Sequence, residues 1–133
     1  MLLIGLQNPT AQTLAVDETI SLGNVYRRFD KPNDCGIYAF TNTSTGITLN
    51  RKGIYHITAN FYPSAAFAGT ITLLENGVPV PGAIANGENL TIDYYVVVDS
   101  NCGWTSNAKT ISFTTDTALT LDNVVVNITK EVA

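Results

Sequence analysis

From residue 54 to 62 the chain alternates, with Tyr55, Ile57, Ala59 and Phe61 on one side and His56, Thr58 and Asn60 on the other. A period of two is the signature of a strand with one buried and one wet face. Pro63 ends the run, because proline has no N–H to give to a central ladder. The alternation returns over 69–75, where Ile71 and Leu73 oppose Thr70, Thr72 and Leu74. Asn76-Gly77 then marks a tight hairpin turn. Residues 78–82, Val-Pro-Val-Pro-Gly, read as extended; lacking two backbone donors, they belong at a sheet edge.

Shorter apolar runs at 25–29, 37–40 and 47–49 are separated by turns rich in Asp, Asn, Thr and Gly. A first extended segment covers 8–16 after a loose start, with Gln12, Leu14 and Val16 on one face. Residues 90–99 begin by alternating and finish apolar on both faces after Tyr95, at Val96, Val97 and Val98, the pattern of a strand leaving solvent for an interior or an interface. Segments 109–115, 118–122 and 124–129 complete the set. Leu119 and Leu121 are odd-numbered whereas Val124, Val126 and Ile128 are even-numbered, so keeping both groups inward requires a bend at Asp122-Asn123. Val125 then points outward with Asn127, or into a neighbouring subunit. Roughly eight to ten short strands without helical periodicity predict an all-β, two-sheet antiparallel sandwich or jelly roll.

Composition agrees with strands: 45 % of the residues are hydrophobic and only 14 % charged, so the long charged side chains that cover exposed helices are scarce. The 133 residues make one domain, small enough that association with further copies would add to its stability. The net charge is -4, and the basic residues are scattered apart from the pairs Arg27-Arg28 and Arg51-Lys52. Nucleic-acid binding by phosphate neutralisation is therefore not expected. The opening Met-Leu-Leu-Ile-Gly-Leu lacks the basic flank of a signal peptide and falls far short of a membrane span, so no membrane insertion is expected.

Chemistry is sparse. His56, the single histidine, lies on the polar side of its strand with no Ser or Cys nucleophile indicated beside it, so no catalytic residue is assigned. Asp30, Asp34, Asp93, Asp99, Asp116 and Asp122 are spread over loops and strand ends without the fixed spacing of a calcium loop, and no metal ligand or cofactor is assigned from spacing. Trp104, in the turn-rich Cys102-Gly103-Trp104-Thr105-Ser106, is a candidate anchor for a glycan or receptor; burial under a loop or between subunits is the competing reading. Cys35 and Cys102 permit one disulfide without demanding it, two thiols or an interface pair being the alternatives.

Three stretches carry a resemblance. Leu49-Asn-Arg-Lys-Gly-Ile-Tyr-His-Ile57 is similar to the "apolar strand, turn, Gly, x, Tyr, strand" element of C1q/TNF-like jelly rolls. Glu75-Asn-Gly-Val-Pro-Val-Pro-Gly-Ala83 resembles an element of their bacterial and phage members, including the C-terminal domains of collagen-like spore-surface proteins. Leu119-Thr-Leu-Asp-Asn followed by Val124-Val-Val-Asn-Ile-Thr129 is similar to their last two strands. The likeness begins near Thr10, which makes 1–9 an N-terminal extension to a C1q/TNF-like domain over 10–133.

The resemblance implies about ten strands and a homotrimer assembled through one sheet and the last strand. Together with the doubly apolar segments, it makes Tyr95, Val96, Val97, Val98, Val124, Val125 and Val126 the expected interface. It implies a structural role and not an enzyme, and it allows a structural Ca²⁺ on the trimer axis or apical loops. Family members occur on spores, on cell surfaces and as virion accessories. Without a Gly-x-y stalk, this chain is expected to be a decoration, fibre or accessory module on a virion or comparable particle, with capsid, tail or other surface proteins as partners. The alternatives are a spore or cell-surface protein and a carbohydrate- or receptor-binding adhesion module.

Overall fold

The computed structural model describes residues 1–87, 89–99 and 108–132. They form eleven strands and no helix, hence none long and apolar enough to cross a membrane. One sheet contains β1 (Leu2–Asn8), β2 (Gln12–Leu14), β3 (Asn24–Phe29), β6 (Gly53–Pro63), β9 (Thr91–Val98) and β11 (Leu119–Val132). Its order is β3-β1-β11-β6-β9, with β2 paired to the start of β11. The facing five-stranded sheet runs β4 (Phe40–Asn42), β5 (Ile47–Leu49), β10 (Lys109–Thr115), β7 (Thr70–Glu75), β8 (Val78–Asn86). Two antiparallel sheets packed face to face make a jelly-roll sandwich.

The core follows from alternation. Tyr55, Ile57, Ala59 and Phe61 of β6 are all buried, as are Ile71 and Leu73 of β7. Across the sandwich, Phe61 meets Phe113 edge to face at 5.4 Å and Phe40 meets Tyr55 at 5.8 Å. Each such side chain contributes about 1.5–3 kcal/mol by leaving water. Asn76 and Gly77 both adopt left-handed backbone (φ 52° and 80°), the geometry of a two-residue hairpin between β7 and β8. The proline-bearing β8 is an edge strand, as its missing donors require.

The bend expected at Asp122-Asn123 is a bulge inside one strand. β11 runs unbroken through it, the pairing to β6 slips between Leu121 and Asn123, and Leu121 and Val124 are both buried. Inserting one residue keeps odd-numbered and even-numbered apolar positions on the same face.

Three expectations change. Residues 2–8 are not an extension: β1 lies between β3 and β11, with Leu2, Ile4 and Leu6 in the core, so these residues are part of the sandwich. The alternation there is obscured because two of its three outward positions, Leu3 and Gly5, are not polar, leaving Gln7 alone to mark the wet face. In the segment 8–16, Asn8 is the end of β1 and beyond it only Gln12–Leu14 pair, and Val16 is exposed because Asp17 turns the chain at φ 64° and donates its N–H to the Thr115 carbonyl. The run at 37–40 pairs as Phe40–Asn42 instead.

Tyr55 shows how this core handles a polar atom. Its hydroxyl donates to the Arg51 carbonyl at 2.6 Å, and burial pushes its pKa up to about 12, with the hydrogen bond and the Arg51 charge pulling the other way. A phenol whose folded pKa is raised contributes stability that is complete below its unfolded value, about 10, and is lost as the pH rises through about 12. Burial lowers the pKa of Lys130, the cross-strand neighbour of Tyr55, so its contribution has the opposite sign, present above its unfolded value and lost as the pH falls through the folded one. Because Lys130 is common to both proteins, denaturation of Tyr55→Phe against the parent isolates the tyrosine. We expect a loss of about 1–2 kcal/mol at pH 7 and a smaller difference between the two proteins at pH 11 to 12. In the hairpin, Gly77→Val should lower stability by about 1–2 kcal/mol in the same assay, since a β-branched residue is strained at positive φ, while Gly77→Asn should retain most of it.

Candidate functional site

The two outward faces of the sandwich differ in chemistry. On the five-stranded sheet, Thr41, Thr48, Thr72, Thr110, Ser112 and Thr114 face away from the core, and the Thr48 and Thr110 hydroxyls are 2.9 Å apart. Hydroxyls predominate there, with Leu74 half-buried beside Ser112 and Ile84 of β8, 43 % exposed, opposite Thr72. The six-stranded sheet instead presents Tyr26, Phe29, Tyr62, Tyr95 and Val97, which are 40, 65, 50, 56 and 49 % exposed. Leu3, Ile54 and Val125 stand half-buried among them. Exposed apolar groups gathered on one face, here interleaved with Thr58, Asn60, Asn127 and Thr129, make that face a candidate contact surface.

Each edge of this face carries a polar cluster. On the β3 side a bulge between Gly5 and Leu6 leaves Tyr26 unpaired, so that Tyr26 and Arg27 both reach the outer face. The Asn127 side-chain oxygen accepts from the Tyr26 hydroxyl at 2.7 Å and from Arg27 Nε and Nη2 at 3.3 and 3.0 Å. The Arg27 guanidinium also lies 5.3 Å from the centre of the Tyr26 ring. Gly5 makes the room: a Cβ there would sit 2.7 Å from Asn127 Oδ1 and 2.8 Å from Tyr26 Cε1.

On the β9 side, His56 Nε2 is hydrogen-bonded to Asp93 Oδ1. A carboxylate only accepts, so Nε2 carries the proton. The imidazole stacks on Tyr95 with centroids 4.5 Å apart and planes 12° from parallel. Its Nδ1 lies 3.8 Å from Glu131 Oε1, which accepts the Thr129 hydroxyl at 3.1 Å. The partners of His56 among the described residues are thus two carboxylates and the Tyr95 ring, against which the imidazole lies stacked. Among the described residues, no three His, Cys, Asp or Glu side chains are grouped to hold a metal ion. A depression of about 410 Å³ at one end of the sandwich is lined by Pro63, Phe67, Gly69, Thr117, Leu119 and neighbouring small residues, with no titratable side chain among the described residues that line it.

The expected interface residues divide. Val96, Val98, Val124 and Val126 are at most 1 % exposed and pack inside their own subunit, so their side chains are unavailable to a neighbour. Strict alternation puts Tyr95, Val97 and Val125 on the outer face. The valine triplets are therefore ordinary strands whose outward positions are also apolar. Sequence reasoning missed Tyr26, Arg27, Phe29, Asn127 and Glu131, which converge only through strand register. Cys35 does not stand as a free thiol. Cys102 and Trp104 lie outside the described residues.

No family model matches the chain, and no curated protein matches it. Solved structures do. The PRD1 vertex protein P5 aligns with a TM-score of 0.56 at 14 % identity, covering 96 % of this chain and 93 % of that one. Rabbit GITRL, a TNF-family member, aligns with a TM-score of 0.58 at 9 % identity, covering 98 % of this chain and 94 % of that one. CBM35 from Cellvibrio japonicus Abf62 reaches a TM-score of only 0.39 at 16 % identity over 98 % of this chain and 96 % of that one, too loose to bear on the fold. At these identities the likeness is one of architecture: the chain folds as a TNF-like jelly roll.

Proposed function

We propose that this chain is a non-enzymatic structural module that assembles as a homotrimer through the outer face of its six-stranded sheet, on the surface of a virion or comparable particle. The observation that carries the reading is the set of exposed aromatic and aliphatic side chains on the six-stranded sheet, Tyr26, Phe29, Tyr62, Tyr95 and Val97, interleaved with polar ones, whereas the outward positions of β4, β5 and β10 carry mainly hydroxyls. A small domain gains most from covering such a face with copies of itself, because its own core is limited by its size. Tyr95, Val97 and Val125 supply apolar contact area, with Tyr26, Phe29 and Tyr62 extending it along the sheet. The fold supports the particle setting by its likeness to a vertex protein, and the shared TNF-like architecture supports self-association.

Sedimentation or native mass measurement tests this. The expected species has about three times the 14.3 kDa chain mass at micromolar concentration. Adding Tyr95→Asp and Val97→Asp together should shift it to monomer, whereas Thr110→Asp on the opposite sheet should leave it unchanged. A parent chain that stays monomeric at tens of micromolar would sink the reading.

A further inference from the structure

The register of the six-stranded sheet aligns its two edges in a way that no single strand reveals. Phe29, Leu3, Thr129, His56 and Tyr95 form one row across the outer face. The next row runs Arg27, Gly5, Asn127, Thr58, Asp93, and the one after it Asn24, Gln7, Val125, Asn60, Thr91. Reading only the ends, the β3 edge offers Phe29, Arg27 and Asn24 in succession, and the β9 edge offers Tyr95, Asp93 and Thr91 at the same heights. An aromatic stands level with an aromatic, a cation with an anion, and a polar group with a polar group. Each pair is separated by the whole width of one sheet, so the partners cannot meet within a subunit.

They can meet between subunits. In a closed ring every contact is head to tail, one patch of a subunit against a different patch of the next. Rotation about an axis running along the strands preserves height, so groups that share a row are the ones brought together. Resting on the self-association reading above, we infer that the β3 edge of one copy docks on the β9 edge of the next, with Arg27 paired to Asp93 of the partner subunit and Phe29 against its Tyr95. The occupant of each edge is thus a second copy of this chain, selected by charge complementarity.

The local geometry leaves both charged groups capacity for this. Arg27 uses Nε and Nη2 on Asn127, and Asp93 uses Oδ1 on His56, so among the described contacts Arg27 Nη1 and Asp93 Oδ2 remain for a partner. Phe29 and Tyr95, 65 and 56 % exposed, are the two most exposed aromatic side chains of that face. A desolvated charge pair beside an aromatic contact fixes which edges meet and in what register, more than it adds raw affinity.

Charge reversal tests the pairing, read as the subunit dissociation constant by sedimentation. Arg27→Glu and Asp93→Arg singly should each weaken assembly at least tenfold by setting like charges opposite one another, and the double exchange should restore most of the loss. Singles that assemble as tightly as the parent, or a double exchange that fails to recover, overturn the edge pairing while leaving self-association standing. A monomeric parent overturns both. Should a reversal variant misfold, Arg27→Cys with Asp93→Cys decides: an oxidised ladder ending at the trimer on a non-reducing gel, absent from the parent, supports the pairing, and its absence from a folded, assembled double variant rejects it.

Discussion

The pairing of β11 with β6 is the constraint on which the rest of the molecule depends. Val124, Val126 and Ile128 stand opposite Phe61, Ala59 and Ile57, all of them buried, and a slip of one residue would turn every one of these side chains to the outer face. β11 also holds β1 on its other side and β2 at its start, so one register fixes the relative positions of four strands. The partners are far apart in sequence, which makes this a non-local fold whose central ladder forms only after large loops close. The bulge at Asp122-Asn123 lets a single strand satisfy both halves of its length.

Once that register is set, the outer face is set with it. The bulge opposite Gly5 and Leu6 places Tyr26 and Arg27 side by side, and Gly5 leaves the space in which both reach Asn127. Across the sheet, the pairing of His56 with Tyr95 brings the imidazole flat onto the ring and within reach of Asp93. The polar clusters at the two edges are therefore consequences of strand pairing and not of any local motif. Between them the outer face mixes Leu3, Ile54 and Val125 with Thr58, Asn60 and Thr129.

Much of the architecture was legible in the chain. The alternation after Gly53 gave β6 its inner and outer faces, Asn76-Gly77 gave a hairpin, the two prolines gave an edge, and the change of parity between Leu121 and Val124 gave an irregularity at the right place. Each rests on nearest-neighbour stereochemistry, which a sequence encodes directly. The first strand was not legible, because Leu3 and Gly5 leave Gln7 as the one polar residue among its three outward positions. The valine triplets are ambiguous for a related reason. Apolar residues on both sides of a strand say that both faces avoid water, but not which face belongs to the subunit's own core.

The sequence by itself determined the all-β class, most strand positions and the inward residues, since these follow from side-chain periodicity and backbone chemistry. Only the tertiary structure decided that β1 is internal, that Val96, Val98, Val124 and Val126 are core while Tyr95, Val97 and Val125 are surface, and that Arg27 and Asp93 share a row. The physical reason is that cross-strand neighbours are set by the register of strands distant in sequence, and that register is chosen by the burial of the whole core at once.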